Sequence, residues 1–188
     1  MFDSPITKKT LREQVAEVLR KKILGGEIKP GERIVEADIA KELQISRGPV
    51  REALRQIEEE GLVSYKSHKG CVVKTISYEE MQEAYLIRST LEALAVQMCS
   101  GQLPEGVEDK MEQCLVKMRE AAKDKDLYRV VKLDEEFHSY IVLASHSDQL
   151  YRVWKSLESG NMTAYYTMET ESLMPYEYIE RNHRRILD

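Results

Sequence analysis

The segment SRGPVREALRQIEEEGLV, from Ser46 to Val63, carries the pattern of a single short amphipathic helix. Ser46 is of a residue type that often caps the start of a helix, and Gly61 is of the type that often ends one. Between them, apolar residues recur at helical spacing and predict a buried stripe, formed by Val50, Leu54 and Ile57. Such a helix requires neighbours on its apolar side, and the flanking sequence supplies them.

Three arginines follow the same helix at intervals of four residues: Arg47, Arg51 and Arg55. At about 100° per residue, this row lies beside the buried stripe rather than opposite to it. The helix can therefore pack against its neighbours while the arginines project into a groove. The major groove of B-DNA admits one α-helix, and arginine pairs bidentately with guanine. The alternative is that the row only pairs with glutamates of its own helix, namely Glu52, Glu58 and Glu59.

The chain around this segment predicts two further helices and a hairpin. Thr10 and Glu13 have the spacing of a capping box and begin a helix that stops at a pair of glycines. A short second helix is marked by Ile39, Ala40 and Leu43. The run LVSYKSHKGCVVK then predicts two short strands joined by a turn. Three helices and a hairpin within residues 1–75 are typical of a winged helix-turn-helix DNA-binding domain.

The turn of the hairpin offers a second candidate contact with DNA. His68, Lys69 and Gly70 are placed to touch the DNA backbone or the minor groove. Gly70 serves equally well as the glycine that makes the turn, so both interpretations remain open. Together with Ser46 and the arginine row, these three residues are the predicted DNA-binding residues.

From residue 76 onward the hydrophobic pattern is wholly helical. It predicts helices over residues 78–100, 105–123, 126–145, 148–170 and 175–188. We therefore expect a mainly α protein, in which the winged domain is followed by an antiparallel all-α bundle over residues 76–188. The last predicted helix reaches Asp188 without a cap or a glycine, so we expect it to be incomplete in a truncated chain.

Charge and composition support this division of the chain. The net charge is −5, but residues 1–75 carry +3 and the remainder carries −8, so the first part suits phosphate and the second does not. The three cysteines, Cys71, Cys99 and Cys114, are scattered without metal-binding spacing, as expected in a reducing compartment. No run approaches the ~18 apolar residues of a membrane helix. We therefore expect a cytoplasmic location and no membrane partner.

Two polar residues interrupt the apolar stripe of the predicted helix 126–145. Asp134 and His138 lie one turn apart on its inward face, and His183 interrupts a second stripe near the end of the chain. Inward Asp, His and His side chains from two helices can converge on one divalent cation, and the ligand types suit Zn²⁺, Mn²⁺, Ni²⁺ or Fe²⁺. The alternative is that Asp134 only bonds to His138 or to the backbone inside a polar core.

Arg88 also falls on an inward row of its helix, which it shares with Tyr85 and Glu92. A buried arginine requires an anion. That anion is either Glu92, one turn away, or the carboxylate of a small organic acid.

The stretch from Leu11 to Val63 closely resembles the N-terminal domain of GntR-family bacterial transcription regulators, and SRGPVREALRQIEEEGLV is its most specific part. The helical remainder looks like the FadR-type (FCD) effector domain, so the resemblance covers nearly the whole chain. It implies a dimeric, ligand-responsive regulator of double-stranded operator DNA, more often a repressor than an activator. It also implies DNA contacts by Arg47 and Arg51, with the wing assisting. The family often has an arginine early in its second helix, where this chain has Ala37 or Asp38, so no contact is predicted there.

The resemblance bears on the metal site as well. Metal-binding FCD domains use an Asp-x-x-x-His followed later by a His-Arg-x-Ile-Leu segment, and Asp134/His138 and HRRILD at His183 resemble both parts. The family's further histidine lies beyond Asp188, so three ligands would leave positions open for water or an effector carboxylate. FCD domains are similar in lining their cavity with an arginine such as Arg88, and Tyr85 is predicted to share that cavity.

Two other function classes fit parts of the pattern. One is a metal-dependent hydrolase in which Asp134, His138 and His183 hold a catalytic ion, although the sequence offers no convincing general base. The other is a DNA-binding module whose helical bundle is purely structural, which the inward Asp, Arg and His residues count against.

Overall fold

The structure is a computed structural model that describes residues 9–157 and 177–187. The chain divides into two compact units, one of Met1–Ile23 with Glu27–Thr75 and the other of Leu24–Gly26 with Ile76–Asp188. It is mostly helical, with one small antiparallel sheet in the first unit. The expected fold class, a winged helix-turn-helix followed by helices, is confirmed.

The first unit contains three helices and three strands. In chain order they are α1 (Leu11–Leu24), β1 (Arg33–Ile34), α2 (Glu36–Glu42), α3 (Arg47–Glu59), β2 (Val63–Lys66) and β3 (Gly70–Val73). The predicted capping box of α1 is present, because the Thr10 amide donates to Glu13 Oε2 and the Glu13 amide donates to Thr10 Oγ1. The residues predicted to start α1 therefore also start it in the structure.

The sheet has one strand more than the predicted hairpin. Its order is β1-β3-β2, all antiparallel, with Lys66 opposite Gly70 and Ile34 opposite Cys71. The two-residue strand β1 is too short to leave an alternating pattern in the sequence. It is held by pairing with β3, so β3 is hydrogen-bonded to a strand along both of its edges.

Helix α3 is fixed by its apolar stripe and by its ends. Val50, Leu54 and Ile57 are fully buried, and each contributes about 1.5–3 kcal/mol of hydrophobic stabilisation. Gly61 adopts a left-handed backbone with φ of 72°, where its amide donates to the Glu58 carbonyl and ends the helix. This packing orients the rest of the helix surface toward solvent.

The second unit contains five described helices. They are α4 (Tyr78–Met98), α5 (Val107–Lys123), α6 (Leu127–Leu143), α7 (Asp148–Lys155) and α8 (Glu177–Leu187). The predicted helix over residues 148–170 begins where α7 begins, at Asp148. Helix α7 ends at Lys155, however, and residues 156–157 form a turn. The remainder of the predicted helix lies outside the described residues.

Helix α6 lies at the centre of this unit. On one side, Phe137 and Ile141 join a core formed with α5, against which Ile179 and Leu187 of α8 pack. On the other side, Val142 joins a smaller core with residues of α4 and α7, namely Ala95, Leu150 and Trp154. Side chains of α6 therefore contact both α8 and α4, so its polar residues can form hydrogen bonds with residues of either helix.

Among the described residues, no helix combines the length and the apolar content required to cross a lipid bilayer.

Candidate DNA-binding surface and metal centre

The arginine row of α3 is exposed along its length. Arg47, Arg51 and Arg55 are all solvent-exposed, while the apolar stripe beside them is fully buried. Ser46 occupies the N-cap position with extended backbone, but its side chain makes no capping hydrogen bond. The capping position is therefore as predicted and the capping bond is not, and the Ser46 hydroxyl stays at the same end of α3 as Arg47.

A residue of α2 holds Arg51 in place. Arg51 Nε donates to Glu36 Oε2 at a distance of 3.3 Å, and the Tyr65 hydroxyl donates to Glu36 Oε1 at the same distance. The glutamates of α3 do not pair with the row in the described residues; Glu58 instead accepts a bond from the Tyr65 amide at 3.1 Å. The alternative in which the row is neutralised by its own helix therefore does not describe this surface.

The tip of the wing carries the other predicted contact residues. His68 and Lys69 are exposed, and His68 has a left-handed backbone with φ of 62°. Gly70 is half-buried with φ of 75°, and a Cβ there would meet Arg33 side-chain atoms at an ordinary 3.8 Å. The backbone conformation, rather than lack of space, explains the glycine, which favours its role in the turn.

Helices α6 and α8 bring Asp134, His138 and His183 together. His183 Nε2 lies 2.8 Å from Asp134 Oδ1 and 3.1 Å from His138 Nε2, and His138 Nε2 lies 4.0 Å from Asp134 Oδ1. Asp134 and His183 are buried and His138 is half-buried. The ring of Phe137, fully buried, makes edge contacts with both imidazoles. We call Asp134, His138 and His183 the triad.

The hydrogen bonds of the two imidazoles define which nitrogens face inward. His138 Nδ1 lies 2.8 Å from Glu92 Oε2, and His183 Nδ1 lies 2.6 Å from the Ile179 carbonyl oxygen. Both partners are acceptors, so each Nδ1 carries the hydrogen. Both Nε2 atoms are thereby turned toward the Asp134 carboxylate, and three electron-pair donors converge.

The lone pairs of the Asp134 oxygen and the two Nε2 atoms repel one another at these distances unless a proton or a metal ion lies between them. Burial disfavours a charged Asp134 carboxylate, but the hydrogen bond from His183 and the nearby positive charges outweigh this and lower its pKa. Burial likewise opposes the charged form of His183, yet the bond to Asp134 raises the pKa of His183. A shared proton satisfies the triad here. A metal ion also fits, because ligand atoms bound at ~2.0–2.2 Å lie roughly 3.0–3.5 Å apart, within the spread of the observed distances.

Arg88 is joined to this triad rather than facing solvent. It is 3% exposed; its Nε donates to Glu92 Oε1 at 2.9 Å and its Nη2 to Asp134 Oδ2 at 3.2 Å. Burial opposes its charge, but Asp134 and Glu92 outweigh this and raise the pKa of Arg88. The internal pair with Glu92 considered from the sequence is present. Tyr85, the other predicted effector residue, is half-buried on the same row.

Sequence reasoning missed two partners in this region. Glu92 bonds to His138 as well as to Arg88, and the Trp154 indole Nε1 donates to Glu92 Oε1 at 2.9 Å. The inward position of Glu92 on the Arg88 row was the available signal. Trp154 is fully buried in the smaller core, and its indole is also a hydrogen-bond donor.

A separate cavity of about 340 Å³ lies between α4, α5, α6 and α8. Its lining includes Met111, Ile141 and Leu187 together with Glu108, and neither Arg88 nor Tyr85 belongs to it. Of the two predicted effector residues, Arg88 therefore belongs to the polar cluster around the triad, and neither lines this cavity.

Comparison with known proteins assigns both units of the chain. Residues 11–73 match the family described as bacterial regulatory proteins, gntR family, and residues 83–188 match the FCD domain. The uncharacterized HTH-type transcriptional regulator YdhC of Bacillus subtilis is 31% identical over 176 residues, which cover 90% of this chain and 76% of that protein.

A second relative carries a more specific name. The probable D-xylose utilization operon transcriptional repressor of Paenarthrobacter nicotinovorans is 28% identical over 183 residues, which cover 97% of this chain and 80% of that protein. Among solved structures, Escherichia coli McbR/YncC aligns with a TM-score of 0.71 at 23% identity, covering 96% of this chain and 85% of that one. This structural likeness supports the fold.

Proposed function

The chain belongs to the GntR family of bacterial regulatory proteins and carries an FCD domain, and on this premise we propose that it is a dimeric repressor controlled by a small organic acid. Membership makes it a DNA-binding, ligand-responsive transcription regulator. The name of the xylose-operon relative supports repression as the direction of control. The observation that carries the DNA-binding part is the exposed arginine row beside the fully buried stripe of α3.

For DNA recognition, we assign base contacts to Arg47 and Arg51 and backbone contacts to Arg55, the Ser46 hydroxyl and the wing tip. Arginine at the start of a recognition helix reaches guanine O6 and N7 in the major groove. The wing residues His68, Lys69 and Gly70 are assigned to the phosphate backbone, which contributes salt-dependent affinity without sequence preference. A dimer would present two such helices to a two-fold symmetric operator.

For ligand sensing, we assign a divalent ion to the triad. Asp134, His138 and His183 would supply three ligands, and a bound ion would act as a Lewis acid that attracts an effector carboxylate at its open positions. Arg88, which bonds to Asp134, is assigned to the same carboxylate, and so is Tyr85 on the same row of α4. The mixed nitrogen and oxygen ligands suit Zn²⁺, Mn²⁺, Ni²⁺ or Fe²⁺.

Control follows from a difference in affinity between two states. An effector that binds one arrangement of the helical unit better than another shifts the population toward that arrangement and so changes operator affinity. The metal-dependent hydrolase considered from the sequence finds no support in the relatives, which are transcription regulators. A purely structural helical unit would predict operator binding that no small molecule alters.

Selection of DNA sites from a random pool tests the proposal, performed with and without a panel of small organic acids and with and without a chelator. We expect selected sites to be two-fold symmetric, with half-sites about one helical turn apart, and one class of acid to change the affinity for them. Operator binding unaffected by every acid would favour a structural helical unit.

Arg51→Ala tests the DNA-binding surface within the same experiment. Loss of a bidentate arginine–guanine contact costs about 1–3 kcal/mol of discrimination, so we expect the preference at one base pair of each half-site to disappear. Arg152→Ala removes the same charge from an exposed site on α7 and serves as the control. Unchanged selectivity in Arg51→Ala would contradict the assignment.

A further inference from the structure

Glu92 is the point at which three helices meet through hydrogen bonds. Its Oε1 accepts from Arg88 Nε and from Trp154 Nε1, both at 2.9 Å, and its Oε2 lies 2.8 Å from His138 Nδ1. These donors come from α4, α7 and α6, and the Glu92 side chain is 14% exposed. A single half-buried carboxylate therefore contacts one member of the triad, the arginine beside it and a residue of a third helix.

We propose that Glu92 is a positioning residue of the metal centre, which fixes the ring orientation and the metal-facing nitrogen of His138 and connects that ligand to Arg88 and α7. The proposal rests on the proposed metal site at the triad. A histidine ligand that donates its other ring N–H to a carboxylate is held in one tautomer, and the loss of such a partner typically weakens metal binding about 10–100-fold.

The chemistry of the three donors makes the carboxylate specific. A carboxylate is an acceptor at both oxygens, so it satisfies the N–H groups of Arg88, Trp154 and His138 together. In Glu92→Gln, one position becomes an NH₂ donor that faces at least one of these N–H groups. Arg88 and Trp154 both donate to the Oε1 position, so we expect the amide to keep its oxygen there and to turn its NH₂ donor toward His138 Nδ1, which rotates the imidazole or exchanges its tautomer.

The competing explanation is that Glu92 only neutralises Arg88. Asp134 also accepts a hydrogen bond from Arg88, at 3.2 Å, so Arg88 has a second anion. A neutralising role predicts lower stability in Glu92→Gln with an unchanged metal environment. A positioning role predicts an altered metal environment, so the decisive measurement must observe the ion itself.

Co²⁺ binding to the full chain provides that measurement. The dissociation constant is obtained by competition with a chromophoric chelator, and the visible absorption bands of bound Co²⁺ report its ligand geometry. Trp154 is the only tryptophan in the chain, so its fluorescence reports whether Co²⁺ binding reaches α7 through Glu92. Glu83→Gln makes the same substitution at an exposed position of α4 and serves as the matched control.

We expect Glu92→Gln to bind Co²⁺ about 10–100-fold more weakly than the parent, with shifted absorption bands and a smaller change in Trp154 fluorescence, while Glu83→Gln matches the parent. Equal affinity and identical bands in the parent and Glu92→Gln would overturn the proposal and leave the metal site standing. Absence of Co²⁺ binding by the parent would overturn the metal site itself, and the role of Glu92 with it.

Circular dichroism of the metal-free variants establishes whether each is folded. If Glu92→Gln does not fold, Glu92→Asp decides instead, because it keeps the charge and both acceptor oxygens but withdraws them by one methylene. Weaker Co²⁺ binding with shifted bands in Glu92→Asp supports the positioning role, and parental affinity with parental bands overturns it.

Discussion

At the scale of single residues, Arg51 is held by a neighbour without being neutralised by its own helix. Its Nε bonds to Glu36, while its two terminal nitrogens have no hydrogen-bond partner within residues 9–157 and 177–187. The side chain remains 56% exposed. A guanidinium held at one nitrogen and open at the other two has lost part of its rotamer freedom before it meets a base, which lowers the entropic cost of binding.

His138 is the residue on which the metal assignment can be tested most directly. We expect His138→Ala to reduce the metal content of the purified protein, because it removes one of three ligands and exposes the cluster to water. Elemental analysis of the parent and the variant provides the measurement. His146→Asn, at an exposed left-handed position that asparagine tolerates, is the control. Equal metal content in parent and His138→Ala would remove the site.

The cysteines should differ sharply in reactivity. Burial raises the pKa of Cys71 and of Cys114 to about 11, while Cys99 is half-buried near the end of α4. Since the thiolate is the reactive form, we expect Ellman's reagent at mildly alkaline pH to label Cys99 alone in the folded protein and all three thiols after denaturation. Loss of the native reaction in Cys99→Ser is the check, and fast labelling of Cys71 or Cys114 would contradict it.

The same shifts define the sign of an alkaline effect. The two thiols are harder to ionise in the folded protein than in the unfolded chain, so their contribution to stability is intact below the ordinary thiol pKa of 9.0. It is lost as the pH rises toward about 11, because the unfolded chain releases its protons first. The free energy of unfolding should therefore fall across this range.

Residue-level prediction from sequence succeeded where periodicity carried the information. The inward placement of Asp134, His138 and Arg88 follows from helical spacing, and the structure brings the first two within reach of His183. The contacts of Glu92 with His138 and Trp154 span 46 and 62 positions along the chain. They depend on how three helices pack, which no local pattern encodes.

At the scale of elements, caps determine where helices begin. Ser77 caps α4 in a complete capping box, in which its Oγ accepts from the Glu80 amide while Glu80 Oε2 accepts from the Ser77 amide. We expect Ser77→Ala to lower the free energy of unfolding by about 1 kcal/mol, measured by urea denaturation. Ser89→Ala, within the same helix and exposed, is expected to be near neutral. Equal losses in both variants would contradict the capping role.

Element boundaries were predictable where a cap or a glycine marks them, as at Thr10 and Gly61. Helix α4 ends at Met98 and α6 at Leu143, two residues before the predicted ends in each case, because the last residues of each pattern turn away from the helix. Strand β1 escaped prediction because two residues cannot show an alternation. These two residues form a strand because they pair with β3, and not because their own composition favours one.

At the scale of the whole molecule, the triad connects helices that are distant in sequence. His138 belongs to α6 and His183 to α8, and the two helices also share a hydrophobic core. An ion that binds only the folded triad should stabilise the protein by about 2.7 kcal/mol at an ion concentration one hundred times its dissociation constant. Thermal unfolding with Zn²⁺ and with chelator measures this effect. His138→Ala is expected to lose most of it, and an equal rise in both proteins would indicate binding elsewhere.

The architecture of the molecule was the most predictable level, because a winged domain and a helical unit each leave a strong periodic signal in the sequence. The functional chemistry was less so. Arg88 illustrates the difference, since its burial follows from periodicity but its two simultaneous anions, Glu92 and Asp134, do not.

Those two anions have a consequence for what the cell can detect. A metabolite whose carboxylate is to bind the Arg88 guanidinium must compete with Glu92 and Asp134. These two carboxylates already pair with Arg88 and belong to the same chain, so their local concentration is high. Trace amounts would leave the guanidinium where it is, and only an abundant acid would draw it away. If the proposed effector carboxylate binds Arg88, this competition would raise the concentration of acid required to change operator affinity, and the genes under this regulator would respond only when that acid is abundant.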